Sequence, residues 1–207
     1  MNKQFIRLIS AYVDSQDIAL WCASLHEEYP FSFKITRKRN TKLGDYSYRK
    51  DLRGQHHQIS INHDLNKHQF LFTFLHEVAH RVCMECHGQY VKAHGKEWKS
   101  IFSALLGAAL AQKFFPQSLV APIQQHAENP RASCGADPNL YKSLSYFDSK
   151  QQALYLTDLK SNTLFLFNKK CFRKLEMKRS RALCVDISNN KKYFISGIAE
   201  VIIIEDK

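Results

Sequence analysis

The chain has 207 residues, 44% of them hydrophobic, which is enough for one generous domain or for a larger domain with a small companion, and too apolar for global disorder. Its formal net charge of +11 calls for an anionic partner, nucleic acid before any other. No apolar run approaches the ~18–20 residues of a membrane-spanning helix, so no membrane role is expected.

In chain order, residues 3–27 place Phe5, Ile6, Ile9, Tyr12, Val13, Ile18, Leu20, Trp21 and Leu25 at helical spacing, which predicts one or two helices ending before Pro30. The start lacks a clean apolar run with a small-residue cleavage site, so it does not read as a signal peptide and a cytoplasmic protein is expected. The six cysteines, Cys22, Cys83, Cys86, Cys134, Cys171 and Cys184, are then expected as reduced thiols. FSFKITRKRN (31–40) alternates as a half-buried strand, KLGDYSYRK (42–50) reads as a second strand and HHQISIN (56–62) as a third. Asn40, Gly44 and Gly54 suit hairpin turns between them.

Residues 66–87 carry Leu71, Leu75, Val78 and Val82 at three- and four-residue steps, predicting a long amphipathic helix stopped by Gly88. A further helix is predicted from Gly95 to Phe114. Residues 116–150, with Pro116, Pro122, Pro130 and Pro138 among Gln, Ser and Ala, read as a linker or wrapping loop. ALYLTDL, TLFLFN, LEMKRSRALCVDI and KKYFISGIAEVIIIE then predict a small antiparallel sheet or barrel.

The chemistry centres on His76-Glu77-Val78-Ala79-His80. Residues four apart share a helix face, so both imidazoles can reach one ion, and Glu77 beside them can take a proton from water. Imidazole nitrogens with a carboxylate base suit Zn²⁺. Catalytic zinc takes three protein ligands. Glu85 and His87 continue the same helix and are badly placed, whereas His94 lies beyond the Gly88 turn, where a chain reversal returns it to the metal. Cys83-Met84-Glu85-Cys86-His87 also fits the short haem-attachment pattern and a redox dithiol, but neither an export signal nor a βαβ context accompanies it, and idle helix thiols are expected.

The combination His76-Glu77-x-x-His80 with His94-Gly95-x-x-Trp98-Lys99 resembles the SprT-like metalloprotease family, which includes bacterial SprT proteins and the eukaryotic protease Spartan. The resemblance covers roughly residues 5–110. It implies a zincin-like fold, zinc on His76, His80 and His94, Glu77 as catalytic base, and the proteolysis of DNA-bound proteins in DNA repair. The chain departs from the many members that end in a zinc ribbon: Cys134, Cys171 and Cys184 stand singly, so a second, structural zinc is not expected.

Basic residues cluster at Lys34, Arg37, Lys38, Arg39, Lys42, Arg49, Lys50 and Arg53, at Lys92, Lys96 and Lys99, and in the tail, where Arg173, Lys174, Lys178, Arg179 and Arg181 stand out. Tyr46, Tyr48, Phe172 and Tyr193 are interleaved. Such surfaces hold phosphates and stack on unpaired bases, so DNA, single strands included, is the expected partner.

Together these features predict an α+β chain. A zincin-like metalloprotease domain of helices and a small antiparallel sheet spans 1–115, a linker or wrapping loop 116–150, and an all-β module 151–207. The expected activity is zinc-dependent hydrolysis of peptide bonds in DNA-associated proteins, with the substrate added as a strand at the sheet edge beside HHQISIN. The rival readings are a nucleic-acid-binding protein with a non-catalytic zinc site, marked by a fourth ligand such as Cys86 or His87, and a zinc hydrolase of another substrate class.

Overall fold

A computed structural model describes residues 2–39, 41–52, 54–132, 136–148 and 154–204. Asn40, Arg53 and Cys134, named above as a turn residue, a basic residue and a thiol, lie outside them. The chain is α+β, with six helices and two sheets among the described residues, and divides into two compact units, Met1–Pro130 and Arg131–Lys207. No described helix is long and apolar enough to cross a membrane.

In the first unit, α1 (Lys3–Ile9) starts on Asn2 and α2 (Gln16–Glu28) on Ser15, and each cap side chain accepts backbone N–H groups that the first helical turn leaves unpaired. Three strands follow, β1 (Ser32–Thr36), β2 (Gly44–Asp51) and β3 (Gly54–Asn62), in the order β1-β3-β2. β2 and β3 form the expected hairpin, with Asp51 opposite Gly54. β1 does not pair with β2. It lies parallel to β3, with Thr36 opposite Asn62, so the sheet is mixed rather than antiparallel. Residues 37–43 are long enough to pass over the intervening strand, a span of only ~10 Å. HHQISIN is therefore the central strand, paired on both sides, and cannot offer the open edge expected of it.

The third helix, α3 (Lys67–His87), begins on Asn66, which accepts from the N–H groups of His68 and Gln69, and ends at Gly88 in a positive-φ conformation (73°). Its apolar stripe sinks Phe70, Leu71, Phe74, Leu75 and Val78 into the core, where Phe74 meets Phe5, Phe31 and Phe33. The next helix, α4 (Lys96–Ala111), buries Trp98, Phe102, Leu106 and Ala109, which recur at three- and four-residue steps.

The segment 116–150, expected as a linker, instead holds two helices, α5 (Gln117–Glu128) and α6 (Pro138–Ser145). Leu119, Ile123 and His126 lie on one buried face of α5, and packing outweighs the cost of Pro122 inside it. The Ser103 hydroxyl donates to the Ala127 carbonyl and Lys99 Nζ to Asn129 Oδ1 (2.6 Å), which ties α5 to α4 and carries the first unit to residue 130.

The second unit begins earlier than the module expected at 151–207 and combines α6 with a five-stranded antiparallel sheet. Its strands are β4 (Leu164–Phe167), β5 (Lys170–Lys178), β6 (Arg181–Asp186), β7 (Lys192–Ser196) and β8 (Ile202–Ile203), in the order β7-β6-β5-β4-β8. Leu156, Phe165, Phe172, Ala182, Cys184 and Ile195 form its core. The strand-like stretch LEMKRSRALCVDI divides between β5 and β6, where Arg179 turns with φ 55°. Of ALYLTDL, Ala153 lies outside the described residues, and Leu156–Asp158 form a 3₁₀ turn in which Asp158 folds back to accept the Tyr155 N–H (3.1 Å).

Candidate metal centre

Three imidazoles converge on one point. The 3.6-residue period stacks His76 and His80 on one face of α3, and the chain returns after Gly88 to place His94 just before α4. His94 Nε2 lies 3.0 Å from His80 Nε2 and 3.2 Å from His76 Nε2. His94 holds φ 58°, a left-handed conformation that costs a non-glycine residue on the order of 1 kcal/mol and is concentrated at functional sites. Burial lowers the proton affinity of all three rings, that of His80 to about 4 with His94 as a secondary cause, so they are neutral at pH 7 with lone pairs available.

Trp98 is fully buried and forms the floor of this cluster, edge-on to His76 and His94 (ring centroids 4.7 and 4.6 Å) and close to parallel with His80 (5.2 Å). The sequence pattern includes Trp98, but only the fold reveals that it touches all three rings.

The donor set fits a divalent metal of the zinc type. Nitrogens bound tetrahedrally at 2.0–2.1 Å sit ~3.3 Å apart, close to the spacing found here. Among the described residues the group comprises His76, His80 and His94, with no fourth His, Cys, Asp or Glu. His87 and Cys86, the fourth ligands of the structural-zinc reading, are exposed at the end of α3 and outside it.

Glu77, next in the chain to His76, packs against β2. It is 6% exposed, and burial, with Asp45 second, pushes its pKa up to about 8, while the Tyr46 backbone N–H facing its carboxylate offsets part of that rise. Gly44 permits this approach: a methyl group added there would lie 2.5 Å from Glu77 Oε1 and 2.6 Å from Thr73 Cγ2. Sequence reasoning took Gly44 for a turn residue; its role is to bring a strand against a helix. Gly44→Ala is expected to destabilise the chain by about 1–3 kcal/mol in urea unfolding, because Thr73 leaves no room for the methyl. Tyr46 completes this side, its ring parallel to His80 (6.2 Å, 7°) and its hydroxyl 2.8 Å from His57 Nδ1.

A family model described as the SprT-like family matches residues 11–116, about half of the chain. The chain belongs to the SprT-like family. No curated protein and no solved structure matches it. The SprT-like match spans the sheet, α3, α4 and all three histidines, and ends before α5.

The basic residues singled out for DNA separate into distinct sets. Lys34, Arg37, Lys38, Lys96, Lys178, Arg179 and Arg181 are exposed, with Lys38 near Asp64 (3.5 Å) and Lys178 near Glu176 (3.0 Å). Arg173 is half-buried on β5, and Lys99 is half-buried and held by Asn129. Arg39 spends its guanidinium within the sheet, on Asn62, Ser60 and Leu43. Lys174 does not reach solvent: it is 3% exposed, on the inner face of β5, and its Nζ donates to the carbonyls of Leu156 (2.9 Å) and Leu159 (2.6 Å). It supports the 3₁₀ turn and is not a phosphate contact. The described cysteines are free thiols.

Proposed function

We propose that the chain is a zinc-dependent peptidase with a zincin-like catalytic domain, acting in the cytoplasm on proteins associated with DNA. His76, His80 and His94 would hold the ion, and Glu77 is the general base. The observation that carries this reading is the convergence of three neutral imidazole nitrogens next to a buried carboxylate of raised proton affinity. The zincin-like architecture is supported by a helix bearing both histidines packed under a sheet whose open-edged strand adjoins them.

Once held, zinc supplies Lewis-acid polarisation of a peptide carbonyl and lowers the pKa of water towards ~7. The protein's own groups do the rest. Glu77 accepts the proton of the attacking water at a carboxylate oxygen and passes it to the leaving amine nitrogen. Its pKa of about 8 would fall beside a cation, into the range where one group can both accept and donate near neutral pH. The Tyr46 N–H holds the carboxylate in place while the proton moves.

The substrate fits the open edge of β2. Asn62 N–H donates to the Leu43 carbonyl (2.9 Å), which makes Leu43 and Asn62 a hydrogen-bonded pair, and the antiparallel register alternates from there. Gly44, Tyr46 and Tyr48 therefore turn their backbone groups away from β3, and the outward Tyr46 N–H is the one that meets Glu77. An extended peptide added there gains main-chain hydrogen bonds to the Tyr46 carbonyl and to Tyr48, the Tyr46 N–H being taken by Glu77, with little side-chain selection. DNA would then select substrates by raising their effective concentration, through the exposed lysines and arginines.

The test incubates the zinc-loaded chain with a DNA-binding protein, with and without single-stranded DNA. Cleavage that a chelator stops, that single-stranded DNA raises and that added salt weakens is expected. One bound zinc with no cleavage in any arm would instead favour a nucleic-acid-binding protein with a non-catalytic site.

A further inference from the structure

We infer that Arg39, clasped to Asn62, is the positioning residue of the general base: it sets the height at which β2 starts and thereby holds the Tyr46 N–H on Glu77. This rests on Glu77 being the base of a peptidase site.

β1 and β2 lie on opposite sides of β3, so residues 37–43 must arch over the C-terminal end of that strand. An arch without fasteners could cross at many heights. Here it is pinned at Arg39 and Lys42. Asn62 is 1% exposed, and its side-chain amide is fully engaged: Oδ1 accepts from Arg39 Nε (2.7 Å) and Thr36 Oγ1 (3.2 Å), and Nδ2 donates to the carbonyls of Arg39 and Lys42 (3.1 Å each). Arg39 reaches on with its other nitrogens to Ser60 Oγ (3.0 Å), the Ser60 carbonyl (3.3 Å) and the Leu43 carbonyl (3.5 Å). The clasp thus ends on Leu43, the residue before Gly44.

Tolerance beyond that point is small. Gly44 fits against Glu77 and Thr73 only because it lacks a side chain, and two residues later the Tyr46 N–H meets the carboxylate. A shift of the arch would move Gly44 and Tyr46 together, because they belong to one strand in one register. All three guanidinium nitrogens are used internally, so Arg39 acts through Tyr46 and Glu77 rather than through phosphate.

The experiment compares the full-length chain with Arg39→Ala and Arg39→Lys in three readouts. Zinc affinity should stay within about threefold, because the imidazoles stand on α3 and before α4. In the metal-free protein, hydrogen exchange at the Tyr46 amide should quicken about 10–100-fold while the amides of α3 keep their protection. Peptide turnover should lose about 10–100-fold in kcat with KM within about threefold, since sub-ångström misplacement of a base acts on the chemical step. Methylguanidinium should restore part of the Arg39→Ala loss, and Lys should not, because one ammonium cannot reproduce the planar fork. Three results would overturn the inference: an unchanged Tyr46 amide, simultaneous loss of zinc and of α3 protection (a strut for the whole unit), or a defect confined to DNA affinity. The zinc and exchange arms need no peptidase activity, so they still judge the clasp if the chain proves not to cleave peptides.

Discussion

Glu77→Gln is expected to keep zinc bound and to reduce peptide hydrolysis by roughly 10²–10⁴-fold, the usual share of a general acid–base group. Glutamine is nearly isosteric, and its amide oxygen can still accept the Tyr46 N–H, so the approach of Gly44 is undisturbed. Only the ability to take and return a proton is lost. Stability should change in the opposite direction. The folded-state pKa of Glu77 is raised, so the folded chain holds this proton more tightly than the unfolded chain between the ordinary carboxylate value and about 8, and stability falls as pH rises through that window. Glutamine has no charge to bury, and the metal-free variant should therefore exceed wild type by on the order of 1–3 kcal/mol at pH 8, with the gap closing below pH 5. Paired unfolding curves at the two pH values measure this, and cleavage by the variant at the wild-type rate would remove Glu77 from the mechanism.

His94→Ala should weaken zinc binding by at least ~100-fold, beyond the 10–100-fold cost of losing an outer-shell partner. Two histidines on one helix turn would remain, and His94 is the residue through which a bound ion would join α3 to the start of α4. The ring is half-buried, so its removal leaves little void, and the fold should survive. Competition against a chromophoric chelator gives the affinity, with His87→Ala as the control that should match wild type because its ring lies outside the cluster. Full zinc retention in His94→Ala would mean that a different third ligand completes the site.

The two halves of the site differ in how far sequence reasoning reaches them. His76, Glu77 and His80 are legible because one helix fixes their spacing and an apolar stripe marks that helix. His94 needs a chain reversal through a left-handed residue, and local pattern supplies only the Gly88 stop; the family resemblance supplies the rest. Gly44, Tyr46, Arg39 and Asn62 are invisible to periodicity because their meaning depends on strand order. A short link between two strands suggests a hairpin, and nothing local to residues 37–43 distinguishes a hairpin from an arch. α5 was hidden by composition: its polar residues face solvent, and Leu119, Ile123 and His126 are too few to stand out beside Pro122. Lys174 shows the limit of charge counting, since its alternation in β5 points the ammonium inward to two carbonyls.

The strand order β1-β3-β2 also imposes a sequence of events during folding. The β2–β3 ribbon closes locally and can form within microseconds. β1, although synthesised first, has no partner until β3 exists, and its parallel pairing closes a longer loop whose entropy must be lost before any contact compensates. The arch is therefore among the last parts of the sheet to assemble, and the carboxylate at position 77 acquires its final neighbours late. A nascent or partly unfolded chain would carry its histidine-bearing helix before β2 is fixed against it, so on the proposed reading the metal ligands assemble ahead of the base.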